Sequence, residues 1–230
     1  MKEPLIVLGL GLFISGLFNK KYVLLASGVL ILAASKFYLL LCLMPATVAY
    51  FLARKTHLLL KITTGYLSVS LLLFFIAIAV GSFSERFNAV RMISEKQTNA
   101  IREASYFGAG SAFSLSPINN HISGLIKAIP IGVWNVFTRP YPWQCNSAFM
   151  YFNLLENIWV FALLIYGLKS LGNNKPISAN SALFLITASL TYFALVGITT
   201  PVAGNLVRYK SLMLPVFFSG ILLLGSEKRN

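Results

Sequence analysis

The chain has 230 residues, 57% of them hydrophobic and only 11% charged, whereas a soluble domain carries roughly a quarter of its residues as charges. Water is therefore excluded as its main solvent. The net charge of +13 arises from 19 Lys and Arg against 6 acidic residues, all Glu; in so apolar a chain this marks loops facing anionic lipid headgroups rather than a nucleic-acid partner.

A helix needs roughly 20 apolar residues to cross the hydrocarbon core, and several stretches approach that length. Residues 4–18 form a first short crossing that ends at Asn19, Lys20 and Lys21. No small-residue cleavage site precedes that basic turn, so the segment reads as a membrane helix and not a removable signal. Residues 22–53 are apolar except for Lys36. They fit either one long helix kinked near Pro45 or two short crossings, and the cost of a mid-span lysine favours two, with Lys36 at the turn. Beyond Arg54, Lys55, His57 and Lys61, residues 62–83 give an uninterrupted crossing.

Residues 84–146 change character, with Glu85, Arg86, Arg91, Glu95, Lys96, Arg102, Glu103 and Lys127 among shorter apolar groups. This is the one extramembranous segment expected within a single membrane domain, residues 1–230. Residues 88–106 have helical preferences, and Gly108-Ala109-Gly110-Ser111 ends that helix; the glycine-rich stretch lacks the GxSxG form of a nucleophile turn. Ser116 and Pro117 fit an N-cap and first-turn proline, followed by Ile118, Ile122, Leu125, Ile126 and Ile129 on one side until Pro130 bends or ends the helix. With Asn119, Asn120, Ser123 and Lys127 opposite, an amphipathic helix in the interface plane is expected. The prolines of Thr138-Arg139-Pro140-Tyr141-Pro142-Trp143-Gln144 bar a regular helix there, and the aromatics suit the headgroup level, as in a re-entrant or surface turn.

Residues 147–168 form a crossing that contains Asn153, Glu156 and Asn157. A polar loop with Asn173, Asn174, Lys175 and Pro176 leads to a crossing over residues 182–199, a loop over 200–210, a last crossing over 212–225 and a basic tail. The expected fold is thus an all-α polytopic transmembrane bundle of about seven crossings, six being the alternative. Short basic loops belong in the cytoplasm. That places Arg54 to Lys61, Lys169 to Lys175 and the carboxy terminus inside, and residues 84–146 and 200–210 on the non-cytoplasmic face.

Glu156 is the one acidic residue inside an expected span, with Asn153 and Asn157 beside it, and an ionisable group there is expensive to bury. It reads either as a general base or ligand partner in a polar cavity, or as an ion pair to a neighbouring helix through Arg139 or Arg208. Arg139, Arg208 and Lys210 converge on one membrane face in the expected topology, where arginine forks suit phosphate oxygens and lipid headgroups alike. Glu156, Arg139 and Arg208 are expected around one cavity. Tyr141 stands in the proline-rich turn beside Arg139, and His121 is a candidate proton acceptor. Cys42 and Cys145 have no CxxC spacing, and neither a metal site nor a disulfide is indicated. No cofactor motif is found: without Asp there is no DxD metal site, and P-loop, zinc and Rossmann signatures are lacking. A cationic clamp with a base would suffice for metal-independent transfer from a lipid diphosphate.

Arg139-Pro140-Tyr141-Pro142-Trp143, then Leu154-Leu155-Glu156-Asn157, then Asn205-Leu206-Val207-Arg208-Tyr209-Lys210 ahead of Leu214-Pro215 resembles the carboxy-terminal half of polytopic proteins of bacterial surface-polysaccharide assembly. The likeness spans residues 92–220. It implies a role in building lipid-linked glycans at the outer face of the bacterial inner membrane, with membrane lipid, a polyprenyl-diphosphate-linked glycan and other membrane subunits as partners. Such proteins generally have more crossings and longer outer loops, so the chain is expected to be a short member, a truncated relative or one subunit. Arg139, Arg208, Lys210, Tyr141, Asn153 and Asn157 are the candidate ligand-binding residues, and Glu156 and His121 the candidate catalytic ones. A transporter or flippase component, with the same residues lining a pathway, and a structural subunit without catalysis are the competing readings.

Overall fold

The computed structural model describes residues 3–53, 59–83, 88–145, 147–171 and 179–225. Arg54, Lys55, His57, Glu85, Arg86, Asn146, Asn173, Asn174, Lys175, Pro176, Lys228 and Arg229, which figure in the expectations above, lie outside the described residues. Among the described residues the α-helices are α1 (Glu3–Phe18), α2 (Tyr22–Leu52), α3 (Leu59–Phe83), α4 (Ala89–Tyr106), α5 (Ile122–Thr138), α6 (Ala148–Leu171), α7 (Ala179–Thr199) and α8 (Ala203–Gly225). Five of them, α2, α3, α6, α7 and α8, are long and apolar enough to cross a membrane, and α1 and α5 are shorter apolar helices. The all-α bundle is as expected from the pattern.

The axis of the bundle is α7, which packs against α2, α3, α4, α5 and α8. Its Phe184, Ala188, Tyr192 and Phe193 are fully buried at helical spacing. Polar ties fix the neighbours in register. The Tyr66 hydroxyl of α3 donates to Asn180 Oδ1 at 2.7 Å, Asn180 Nδ2 donates to the Tyr50 carbonyl of α2 at 3.1 Å, and the Thr191 hydroxyl donates to the Cys42 carbonyl at 2.7 Å. Between α5 and α7 the backbones nearly touch: a Cβ on Gly197 would overlap the Gly132 carbonyl, the small-residue contact by which helices pack without a hydrophobic drive. A similar approach pairs α1 with the first half of α2, where a Cβ on Gly28 would lie 2.5 Å from the Phe13 nitrogen.

Residues 22–52 are two helical segments that meet at a break at Lys36 (φ −149°, ψ 87°), the residue expected at a turn, while Pro45 lies inside the second segment. One residue leaves helical geometry and the chain resumes. Several boundaries depart from the sequence expectation. The helix expected from Ser116 begins only at Ile122, with His121 as N-cap, because Asn119 and Asn120 adopt positive φ of 51° and 57°, which no right-handed helix accepts. Pro130 lies within α5 and does not end it; the helix runs on to Thr138, packed along α7. The expected loop over residues 200–210 is helical from Ala203 onward, and Pro215 lies inside α8.

Elsewhere the local signals place the chain well. Asn88 caps α4 by accepting from the Arg91 amide at 3.0 Å, and Gly108 takes φ +57° just past its end. The proline-rich segment forms a short 3-10 turn, Pro142–Gln144. The glycine-rich stretch after α4 is pinned to the α7–α8 connection, through the Phe113 amide to the Pro201 carbonyl (2.8 Å) and the Ala203 amide to the Ser111 carbonyl (3.0 Å).

Candidate functional site

Two polar clusters sit on different faces of α8. The first joins α5, α6 and α8. Lys210, 1% exposed, donates to Asn157 Oδ1 and lies 3.5 Å from Glu156 Oε1. Asn157 Nδ2 in turn donates to the Arg139 carbonyl at 2.8 Å. The Arg139 Nε donates to Asn135 Oδ1 at 3.0 Å, and its guanidinium lies 3.9 Å from the centroid of Phe113 and 5.0 Å from that of Tyr141. Burial pushes Arg139 below the ordinary guanidinium value, with Tyr141 acting in the opposite direction. Tyr141 stacks on Trp143 with centroids 4.8 Å apart, and Asn153 is buried on α6.

Of the sequence candidates, this cluster brings together Glu156, Asn157, Lys210, Arg139 and Tyr141, and separates Arg208 and His121. The expectation that Arg208 borders the same cavity as Glu156 and Arg139 gives way to a different arrangement. Arg208 Nε lies 3.4 Å from Glu3 Oε1 of α1, with the arginine side chain 57% exposed. The cause is the helical state of residues 203–210: in a loop two neighbours can converge, but in a helix two positions turn through about 200° and point apart. His121 caps α5 without a side-chain cap bond and is exposed.

The second cluster lines a cleft of about 780 Å³ between α2, α4, the end of α7 and the start of α8. Lys36 enters it from the break in α2, with Nζ 4.5 Å from the Tyr209 centroid and 5.8 Å from that of Tyr38. Lys96 enters from α4, with Nζ 4.2 Å from the same Tyr38 ring. Among the described residues neither ammonium has a carboxylate within ion-pair distance. Asn99, Glu103 and Asn205 line the cleft further along, beside Met92, Phe107, Leu195 and Val196. Glu95, also at its edge, is held by Arg91 at 2.8 Å. The amphipathic α4 forms one wall because the buried Gln97 amide donates to the carbonyls of Ser116 (3.1 Å) and Ile198 (2.8 Å).

Sequence reasoning missed this cleft. In the sequence Lys36 bears only on topology and Lys96 is one of the charges of residues 84–146, while Tyr38 belongs to no motif and Tyr209 only to the Asn205–Lys210 resemblance. The available signal was the lysine in the middle of an apolar run, a placement costly enough to ask for a function. Compared with known proteins, the chain matches no family model, no curated protein and no solved structure.

Proposed function

We propose that the chain is a multi-pass helical protein of the bacterial inner membrane that takes part in assembling lipid-linked cell-surface glycans, as a metal-independent transferase or an accessory to one. The observation that carries the membrane part is the outward face of the bundle. Leu67, Leu71, Leu72 and Phe75 of α3, and Phe152, Leu155, Ile158 and Trp159 of α6, are exposed on long apolar helices. In water such contiguous surface is a liability, whereas hydrocarbon is its natural solvent. The glycan part rests on the sequence resemblance and on a cleft that combines cationic, hydroxyl-binding and apolar groups. In this reading residues 84–146 and 200–210 lie on the non-cytoplasmic side, where such lipid carriers present their sugars.

Mass spectrometry of lipids retained by the purified protein tests the glycan part. A polyprenyl-diphosphate-linked saccharide supports it, and ordinary phospholipid alone rejects it. Orientation is tested by labelling Tyr106→Cys in intact cells with a membrane-impermeant reagent, since Tyr106 is 84% exposed. Labelling only after lysis would invert the topology. A structural subunit is the second reading, and one observation favours it: Lys210 is already countered by the Glu156 carboxylate and hydrogen-bonded to Asn157, so the most buried cation among the described residues is engaged in holding helices together.

A further inference from the structure

We infer that Lys36 and Lys96 form a binding site for a lipid-borne phosphate. The inference rests on the membrane reading above and is independent of glycan assembly.

Four observations converge on it. First, the two ammoniums enter one cleft from different helices and share the Tyr38 ring, so two like charges are held together with no carboxylate among the described residues in ion-pair contact; Glu3 acts on Lys36 only from beyond that distance and is itself paired with Arg208. The other cations near them are accounted for, since Arg208 engages Glu3 and Arg91 engages Glu95. An anion between the lysines would relieve their repulsion.

Second, α2 departs from helical geometry at the residue that supplies one of these charges. A lysine in an apolar helix would otherwise have to face hydrocarbon or the packed core; the break delivers it to the cleft over the Tyr209 face. Third, the tyrosines support cations without neutralising them, because a ring quadrupole attracts an ammonium but leaves its N–H donors free for phosphate oxygens.

Fourth, the rest of the lining describes the remainder of the ligand. Apolar Met92, Phe107, Leu195 and Val196 line the same cleft and suit an acyl or prenyl chain. Asn99, Glu103 and Asn205 offer hydrogen bonds to a hydroxyl-bearing headgroup beyond the phosphate. Glu103 is seven positions from Lys96 on α4, about two helical turns or ~10 Å, far enough for a carboxylate to meet hydroxyls while the lysines hold the phosphate. A diacyl phospholipid and a prenyl phosphate share this chemistry, and the experiment separates them.

The test is native mass spectrometry of the full chain in detergent with four probes: dioctanoyl phosphatidic acid, farnesyl diphosphate, uncharged dioctanoylglycerol and inorganic pyrophosphate. One or both phosphate-bearing lipids should be retained at least tenfold better than dioctanoylglycerol, and the preferred one identifies the source. K36Q/K96Q should lose at least tenfold in retention, while K127Q, on the exposed side of α5, should match the unaltered protein. K96Q alone removes a charge whose side chain is exposed, so it should fold even if K36Q does not, and it should lose at least threefold. Equal retention of dioctanoylglycerol, undiminished binding in K36Q/K96Q or K96Q, or pyrophosphate bound as tightly as either lipid would overturn the inference. Failure here is distinguishable from failure of the glycan reading: a protein purified with a lipid-linked saccharide but indifferent to K96Q loses only the lysine site. One that binds phosphatidic acid through the lysines but carries no saccharide loses only the glycan role.

Discussion

Lys210 and Lys36 are both lysines on long apolar helices, and the molecule treats them in opposite ways. Lys210 is enclosed, meets the Glu156 carboxylate and the Asn157 amide, and through Asn157 ties α8 and α6 to the end of α5. Lys36 stands at a break in its helix, faces an open cleft and has aromatic rings for company. A buried cation in contact with a counter-charge supplied by the fold is a helix contact; one with no carboxylate in ion-pair contact, beside a cavity, is open to a ligand. The same residue type therefore marks a structural joint in one place and a binding site in the other, and the partners decide which.

The largest effect that sharpens this contrast is expected from Glu156→Ala. It leaves Lys210 buried with only a neutral amide partner. Because the Glu156 side chain is 36% exposed, water offsets part of the loss, and about 2 kcal/mol is expected rather than the roughly 3–5 kcal/mol of a fully buried pair. Thermal unfolding in detergent measures it, and the double variant E156Q/K210M should recover most of the loss by removing the stranded charge. An unchanged melting temperature in Glu156→Ala would remove the structural role from the pair.

In the cleft the expectation reverses. Replacing both lysines, as K36M/K96M, removes three cation–π contacts, the longest of them 5.8 Å, each of about 0.5–1 kcal/mol at most, but also the mutual repulsion of the two charges, so the ligand-free protein should keep its stability within about 1 kcal/mol. A loss as large as that of Glu156→Ala would make the cleft a second structural joint. Smaller still is the effect of Arg208→Ala. Its pair with Glu3 is solvent-exposed on the arginine side, and such pairs contribute about 0–1 kcal/mol. A larger loss in the same unfolding assay would place Arg208 within the bundle's packing.

How much of this was legible beforehand follows from the range of the signals involved. Helix positions come from local patterns, and α3, α4 and α7 were readable from apolar length, from the helical preferences of residues 88–106 and from the glycine-rich stop. Glu156 and its asparagines were readable as a cluster because they are neighbours in sequence. Their partner Lys210 was among the candidates but not distinguished from Arg208, since their separation depends on whether residues 203–210 are helix or loop. Pro201 and Gly204 suit a loop, whereas in the structure Pro201 stands just ahead of α8 and Gly204 in its first turn, where neither is costly. The Lys36–Lys96 cleft was illegible for a different reason. Its walls come from α2, α4, α7 and α8, and no short-range pattern reports a meeting of residues 36, 96 and 209.

The smallest expected effect is a pH dependence, and its sign separates the empty cleft from the filled one. Partial desolvation of its ammonium against the cleft wall lowers Lys96 below the ordinary lysine value, against a smaller raising influence of Cys42. The groups facing it are Tyr38, Lys36 and Cys42 of α2, with Tyr209 of α8 in the same cleft and Glu95 beside it on α4. A lowered value means that the folded protein binds the proton less well than the unfolded chain, whose lysines titrate near ~10.4. Between the folded and unfolded values the unfolded chain then holds more protons, so the contribution of Lys96 to stability rises with pH across that window. The exposed side chain limits it to a few tenths of a kcal/mol. Phosphate binding has the opposite slope, because the anion needs the charged ammonium and releases its hold as that proton is lost. The measurable quantity is the difference between the unaltered protein and K96Q. From pH 8.5 to 10, above the second phosphate ionisation, retention of the preferred phosphate lipid should fall more steeply in the unaltered protein than in K96Q, and ligand-free stability should rise slightly more. Parallel profiles for the two proteins would mean that the Lys96 charge is not what the ligand meets.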